Sequence, residues 1–161
     1  MKGDTAFFDT NVLVYAFAQD DPRTEIAEGL LRAGGVVGVQ MLNEFVAVAT
    51  RKLAMPWKEV LEALSALRVL FPSPVPLTVE THDAALRIAG RYGYRIYDSL
   101  AIAAALEAHC KTLFSEDLHD GQAIDGLTIR NPFRRQTALS AVIRRSAPRP
   151  HFKLPPPDRS G

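Results

Sequence analysis

Apolar residues along this chain fall into two patterns: short unbroken runs, and longer stretches in which they recur three or four positions apart. The first pattern predicts buried strands and the second amphipathic helices. Ala6-Phe7-Phe8 is a short run that ends in Asp9 and leads into a helix over residues 11–18. Residues 23–32 carry Ile26, Ala27, Leu30 and Leu31 on one helical face and stop at Gly34-Gly35. A second buried strand is predicted over residues 36–39. A helix over 41–54 follows, with its stripe at Leu42, Val46, Ala49 and Leu53. Pro56 closes that segment and suits the start of the next helix, whose stripe includes Val60, Leu61, Leu64, Leu67 and Leu70.

Val75-Pro76-Leu77 reads as a short edge strand, because proline cannot donate to a ladder. Thr78 is a good N-cap for a helix running to Tyr92, with Gly93 as its stop. Residues 99–107 are apolar almost all round, as a central helix would be. Two further strands are predicted over 112–115 and 127–129. Strands alternating with helices imply an α/β fold, a three-layer α/β/α sandwich on a mostly parallel sheet.

At 161 residues and 17.7 kDa the chain suits one domain with a sizeable core. Hydrophobic residues at 47% against 23% charged argue against wholesale disorder or a coiled coil. No apolar run outlasts Leu100 to Leu106, far below the roughly 20 residues of a membrane span. Asp4 precedes any apolar stretch and there is a single cysteine, Cys110, so a cytoplasmic protein without disulfides is expected.

The formal net charge of +1 conceals a division: residues 1–134 hold 13 Lys and Arg against 17 Asp and Glu, and residues 135–161 hold 6 against 1. The last segment also holds five of the eleven prolines. Residues 1–134 are therefore expected to form the domain, and 135–161 a flexible, basic, proline-rich arm. It lacks the aromatic interleaving of a nucleic-acid-binding arm, so a solvated tail is the reading taken.

In open parallel sheets functional groups gather beyond the carboxyl ends of the strands. Asp9 ends the first strand, Asp117 lies two residues past Ser115, and Glu44 starts the helix after the second strand. Asp98 opens the apolar helix that must pack on the same sheet. Each has an ordinary alternative: Asp9 and Asp98 as helix caps, Asp117 as a solvated loop acid, Glu44 on a polar helix face. Taken together, four acids recur at one structural place. Two carboxylates about 4 Å apart repel by on the order of 4 kcal/mol at an effective dielectric near 20, so a cation is required. Hard oxygen ligands suit Mg²⁺ or Mn²⁺, and such sites hydrolyse phosphodiesters.

The segments Phe7-Phe8-Asp9-Thr10-Asn11-Val12-Leu13, Leu42-Asn43-Glu44-Phe45, Tyr97-Asp98-Ser99-Leu100-Ala101 and Phe114-Ser115-Glu116-Asp117-Leu118 occur in an order and spacing that resemble a PIN domain, most of all the VapC toxins of type II toxin–antitoxin pairs. The resemblance runs over residues 5 to 133 and implies a metal-dependent endoribonuclease that hydrolyses RNA by metal-activated water. It implies Mg²⁺ or Mn²⁺ held by Asp9, Glu44, Asp98 and Asp117, with Asn11 orienting the first acid and Ser115 standing where the family often has threonine. It also implies a homodimer and a VapB-like antitoxin as partner. A housekeeping RNA-processing nuclease shares these features.

Other chemistries fit less well. A dehalogenase-like hydrolase wants a second aspartate two positions after the first, where this chain has Asn11; the non-catalytic alternative is a metal-binding receiver-like or RNA-binding module, and a receiver wants a lysine after the late strand, where none occurs between Ser115 and Asn131. His82, His109, His119 and His151 form no zinc spacing with Cys110. Arg87, Arg91 and Arg95, with Arg51-Lys52, are either RNA contacts or a solvated surface.

Overall fold

The computed structural model describes residues 5–134; the expected basic arm over 135–161 lies outside the described residues. The elements run β1 (Ala6–Phe8), α1 (Thr10–Phe17), α2 (Thr24–Ala33), α3 (Val39–Arg51), α4 (Trp57–Leu70), α5 (Val79–Tyr92), α6 (Ile96–Glu107), β2 (Thr112–Phe114), β3 (Ala123–Ile124) and β4 (Leu127–Arg130). The sheet order is β1-β2-β4-β3, with β1, β2 and β4 parallel and β3 antiparallel to β4. Helices and a mostly parallel mixed sheet form the expected α/β sandwich. Phe7, Leu113 and Ile129 align in register across the three parallel strands, and all three are fully buried.

Local chemistry accounts for most boundaries. Thr78 caps α5 by accepting from the Thr81 N–H at 3.1 Å, and Thr81 returns a bond to the Thr78 N–H. Gly93 ends that helix in the left-handed region at φ 74°. Pro56 is the N-cap of α4. Helix α6 is buried from Ser99 through Ala105, as its all-round apolar sequence requires. Among the described residues no helix is long and apolar enough to cross a membrane.

Two expected strands and one helix boundary are corrected, and one strand is new. Residues 36–39 and 75–77 are not strands: each contributes single bridges, Phe7 to Val36 and Gly38 to Val75. Val75 lies between Pro74 and Pro76, which have no N–H to extend a ladder, and Val39 already belongs to α3. The sheet still continues through them, since the Val36 N–H donates to the Ala6 carbonyl at 2.8 Å and the Val75 N–H to the Val37 carbonyl at 2.9 Å. Helix α6 starts at Ile96 rather than Ser99, so Asp98 lies inside its first turn and Arg95 takes the N-cap position. Finally, β3 was not anticipated. It pairs with β4 across Asp125 (φ 48°) and Gly126 (φ 86°), a two-residue turn with both φ values positive.

Candidate active site

Asp9 stands where β1 gives way to α1. Its N–H donates to the Phe114 carbonyl at 3.0 Å, tying the end of β1 to the end of β2. Its carboxylate is nearly buried and has a distinct task for each oxygen. Oδ1 accepts from the Thr10 N–H at 2.8 Å, which caps α1. Oδ2 accepts from the Ser115 hydroxyl at 2.7 Å and from the Asn11 amide at 3.4 Å. The expected capping role of Asp9 is filled by Oδ1, which leaves Oδ2 to the contacts with Ser115 and Asn11.

The other acids are drawn in through neutral side chains. Asn11 Nδ2 also donates to Asp117 Oδ2 at 3.3 Å, so one amide bridges Asp9 and Asp117. Thr10, whose N–H caps with Asp9, sends its hydroxyl to Glu44 Oε2 at 2.9 Å. Ser115 Oγ in turn accepts from the Asp117 N–H at 3.2 Å. The structure thus joins Asp9, Glu44 and Asp117 in one hydrogen-bonded network. Asp98 is linked to them by charge: it acts on Glu44, while its own Oδ2 accepts from Arg95 Nε at 3.3 Å.

Burial is the main influence on the central acid, pushing the Asp9 carboxyl up to about 6. The Ser115 and Thr10 hydrogen bonds oppose it, and the negative charges of Glu44 and Asp117 add to it. Glu44 is also raised, first by burial and then by the charge of Asp98, against the Thr10 bond. The charged groups acting on Asp9 are both negative. As the side chains stand, no three His, Cys, Asp or Glu among the described residues are gathered closely enough to hold a metal ion. The donor set is nonetheless of the kind that suits a hard divalent cation: carboxylate oxygens around a buried acid whose charged neighbours, Glu44 and Asp117, are both negative.

Arg95, expected among the surface arginines, is largely exposed and pairs with Asp98. Arg23 and Glu116 were not foreseen as part of the site. Glu116, between Ser115 and Asp117, gives its carboxylate to Arg23 Nη1 at 2.9 Å and its N–H to Asn11 Oδ1 at 3.2 Å. No local pattern ties Arg23 to Glu116, which lies 93 residues away.

Comparison with known proteins agrees with this geometry. The PIN domain family matches residues 6–119, well over half of the chain, and the chain belongs to that family. Solved structures of similar fold include a toxin–antitoxin complex from Klebsiella pneumoniae, 18% identical with a TM-score of 0.61 over 80% of this chain and 98% of that one. VapC20 of Mycobacterium tuberculosis, a sarcin–ricin loop cleaving toxin, is 18% identical with a TM-score of 0.55 over 70% and 92%. VapBC2 of Rickettsia felis, bound to a DNA fragment from its promoter, is 16% identical with a TM-score of 0.56 over 79% and 98%. No curated protein matches the chain.

Proposed function

We propose that this protein is a divalent-metal-dependent endoribonuclease and the toxin of a toxin–antitoxin pair. The observation that carries the reading is the hydrogen-bonded network that ties Asp9, Glu44 and Asp117 together at the ends of β1 and β2, with Asp98 beside it. Asp9, Glu44, Asp98 and Asp117 would hold Mg²⁺ or Mn²⁺, and the bound ion would polarise a phosphoryl oxygen and make water more acidic.

The chain's own groups orient and hold that site. Thr10 and Ser115 fix one oxygen each of Asp9, so the carboxylate cannot rotate away from the sheet edge. Asn11 holds Asp117 against Asp9, and Thr10 aims Glu44 from α3. Arg95 holds Asp98 and, with 82% of its side chain exposed, offers positive charge to an approaching phosphodiester. Membership of the PIN family supports the nuclease reading. Toxin–antitoxin complexes among the similar folds support a VapB-like antitoxin partner, and the homodimer rests on the family resemblance alone.

Incubating the protein with total bacterial RNA tests the reading. Discrete fragments with 5′-phosphate ends should form with Mg²⁺ or Mn²⁺ and disappear with EDTA. Asp9→Asn and Asp98→Asn should each reduce cleavage at least a hundredfold, on the order expected for loss of a group that binds the reacting metal. Cleavage at the parent rate by either variant would refute the mechanism. The partner is tested by co-expression: a growth defect from this chain alone should be relieved by the product of an adjacent small reading frame.

A further inference from the structure

Arg23 lies in the connection between α1 and α2, outside all four acidic segments. Its Nε and Nη2 form a fork on Asp21, at 2.9 Å to Oδ1 and 2.8 Å to Oδ2. The remaining nitrogen, Nη1, donates to Glu116 at 2.9 Å. The guanidinium also lies over the Tyr15 ring of α1, with Cζ 3.9 Å from the centroid, and Tyr15 meets the buried Phe133 edge-on at 5.1 Å. One side chain, 28% exposed, thereby fastens α1, the α1–α2 connection and the loop leaving β2.

That loop controls which way the bridging amide faces. Asn11 must present Nδ2 to both Asp9 and Asp117, and its Oδ1 is held by the Glu116 N–H at 3.2 Å. With the amide oxygen held in this way, the nitrogen has to face the acids. The chain of positions runs from Arg23 through Glu116 to Asn11, and from there to the two aspartates.

We propose that Arg23 is a positioning residue for the acid site, setting its affinity for a divalent cation by clamping Glu116 and so fixing the Asn11 bridge between Asp9 and Asp117. The proposal rests on the nuclease reading above. Lysine is a poor substitute, because a single ammonium cannot reproduce the planar fork on Asp21 together with the third bond to Glu116.

Calorimetric titration with Mn²⁺ alone, paired with the Mn²⁺ dependence of RNA cleavage, tests it. Arg23→Ala should weaken Mn²⁺ binding roughly 10–100-fold, the range for loss of a residue that supports metal ligands. Arg23→Lys should fall between parent and alanine variant, and Glu116→Gln should shift in the same direction. The Mn²⁺ concentration for half-maximal cleavage should move by the same factor, while the rate at saturating Mn²⁺ recovers. A purely structural arginine would lower the thermal midpoint and leave Mn²⁺ affinity at the parent value, and that result overturns the proposal. If Arg23→Ala does not fold, Arg23→Lys and Glu116→Gln decide it by the same readout. A parent protein that neither binds Mn²⁺ nor cleaves RNA sinks the nuclease reading and this role together, whereas a normal parent with unaltered variants sinks this role alone.

Discussion

Asp9 couples folding to pH because its ionised form is disfavoured in the native protein. Its folded value of about 6 lies above the ordinary 3.8, with burial as the first cause. A native state that keeps a proton the unfolded chain has lost becomes less stable as pH rises between those values. Below about pH 4 both states are protonated and nothing is lost; above about pH 6 the loss is complete, at about 3 kcal/mol for a shift of this size. In EDTA, the thermal midpoint of the parent should therefore fall relative to that of Asp9→Asn as pH rises from 4 to 7. Glu44, raised by burial and by Asp98, acts in the same sense. Parallel curves for parent and variant would show that burial does not govern this acid. The candidate acids were legible in the sequence, because Asp9, Asp98 and Asp117 follow or open apolar segments and Glu44 interrupts one. What was not legible is how they are held: Asn11 meets Ser115 and Asp117 across 104 and 106 positions, and Arg23 meets Glu116 across 93.

At the scale of elements, the close approach of the 36–39 segment to β1 depends on a glycine. A Cβ at Gly35 would lie 2.5 Å from Phe8 Cε2 and 2.6 Å from the Ala6 carbonyl, the same carbonyl that accepts from Val36. Gly35→Ala must push Val36 off β1 or displace Phe8, a buried ring stacked on Phe114 and tilted against Phe71. A cost of about 1–3 kcal/mol is expected in urea unfolding, as for overpacking elsewhere. Gly29, inside α2 with open space around it, provides the contrast: Gly29→Ala should stabilise by up to about 1 kcal/mol. Equal effects at the two sites would contradict the packing described.

The same scale separates what local sequence could and could not reveal. Thr78, Gly93 and Pro56 act within their own turns, so the boundaries of α4 and α5 could be read from them. Whether residues 36–39 form a ladder depends on partners elsewhere, and Pro74 and Pro76 limit that partner to one bridge. The Asp125-Gly126 turn was a readable hairpin signal, but β3 is only two residues long and carries no alternation to reinforce it.

For the molecule as a whole, the order β1-β2-β4-β3 brings the ends of β1 and β2 together, so that residues 9 and 115 meet although a helical stretch of the chain separates them. No local pattern encodes that adjacency; it follows from which crossovers the helices permit. Under the proposed function it would also make metal binding a stability event, because the unfolded chain has no such meeting point. Mn²⁺ at a hundredfold excess over its Kd should add about 2.7 kcal/mol to the folded state. For a domain of this size that lifts the thermal midpoint by roughly 5–10 °C. Asp98→Asn should shrink the shift by weakening the site, while Asp83→Asn, an exposed acid on α5, should leave it unchanged at matched ionic strength. Equal shifts in parent and both variants would mean that the cation binds diffusely to an acidic surface, since residues 1–134 carry four more acids than bases. Only a site assembled by the sheet makes the ion's stabilisation depend on Asp98 and not on Asp83.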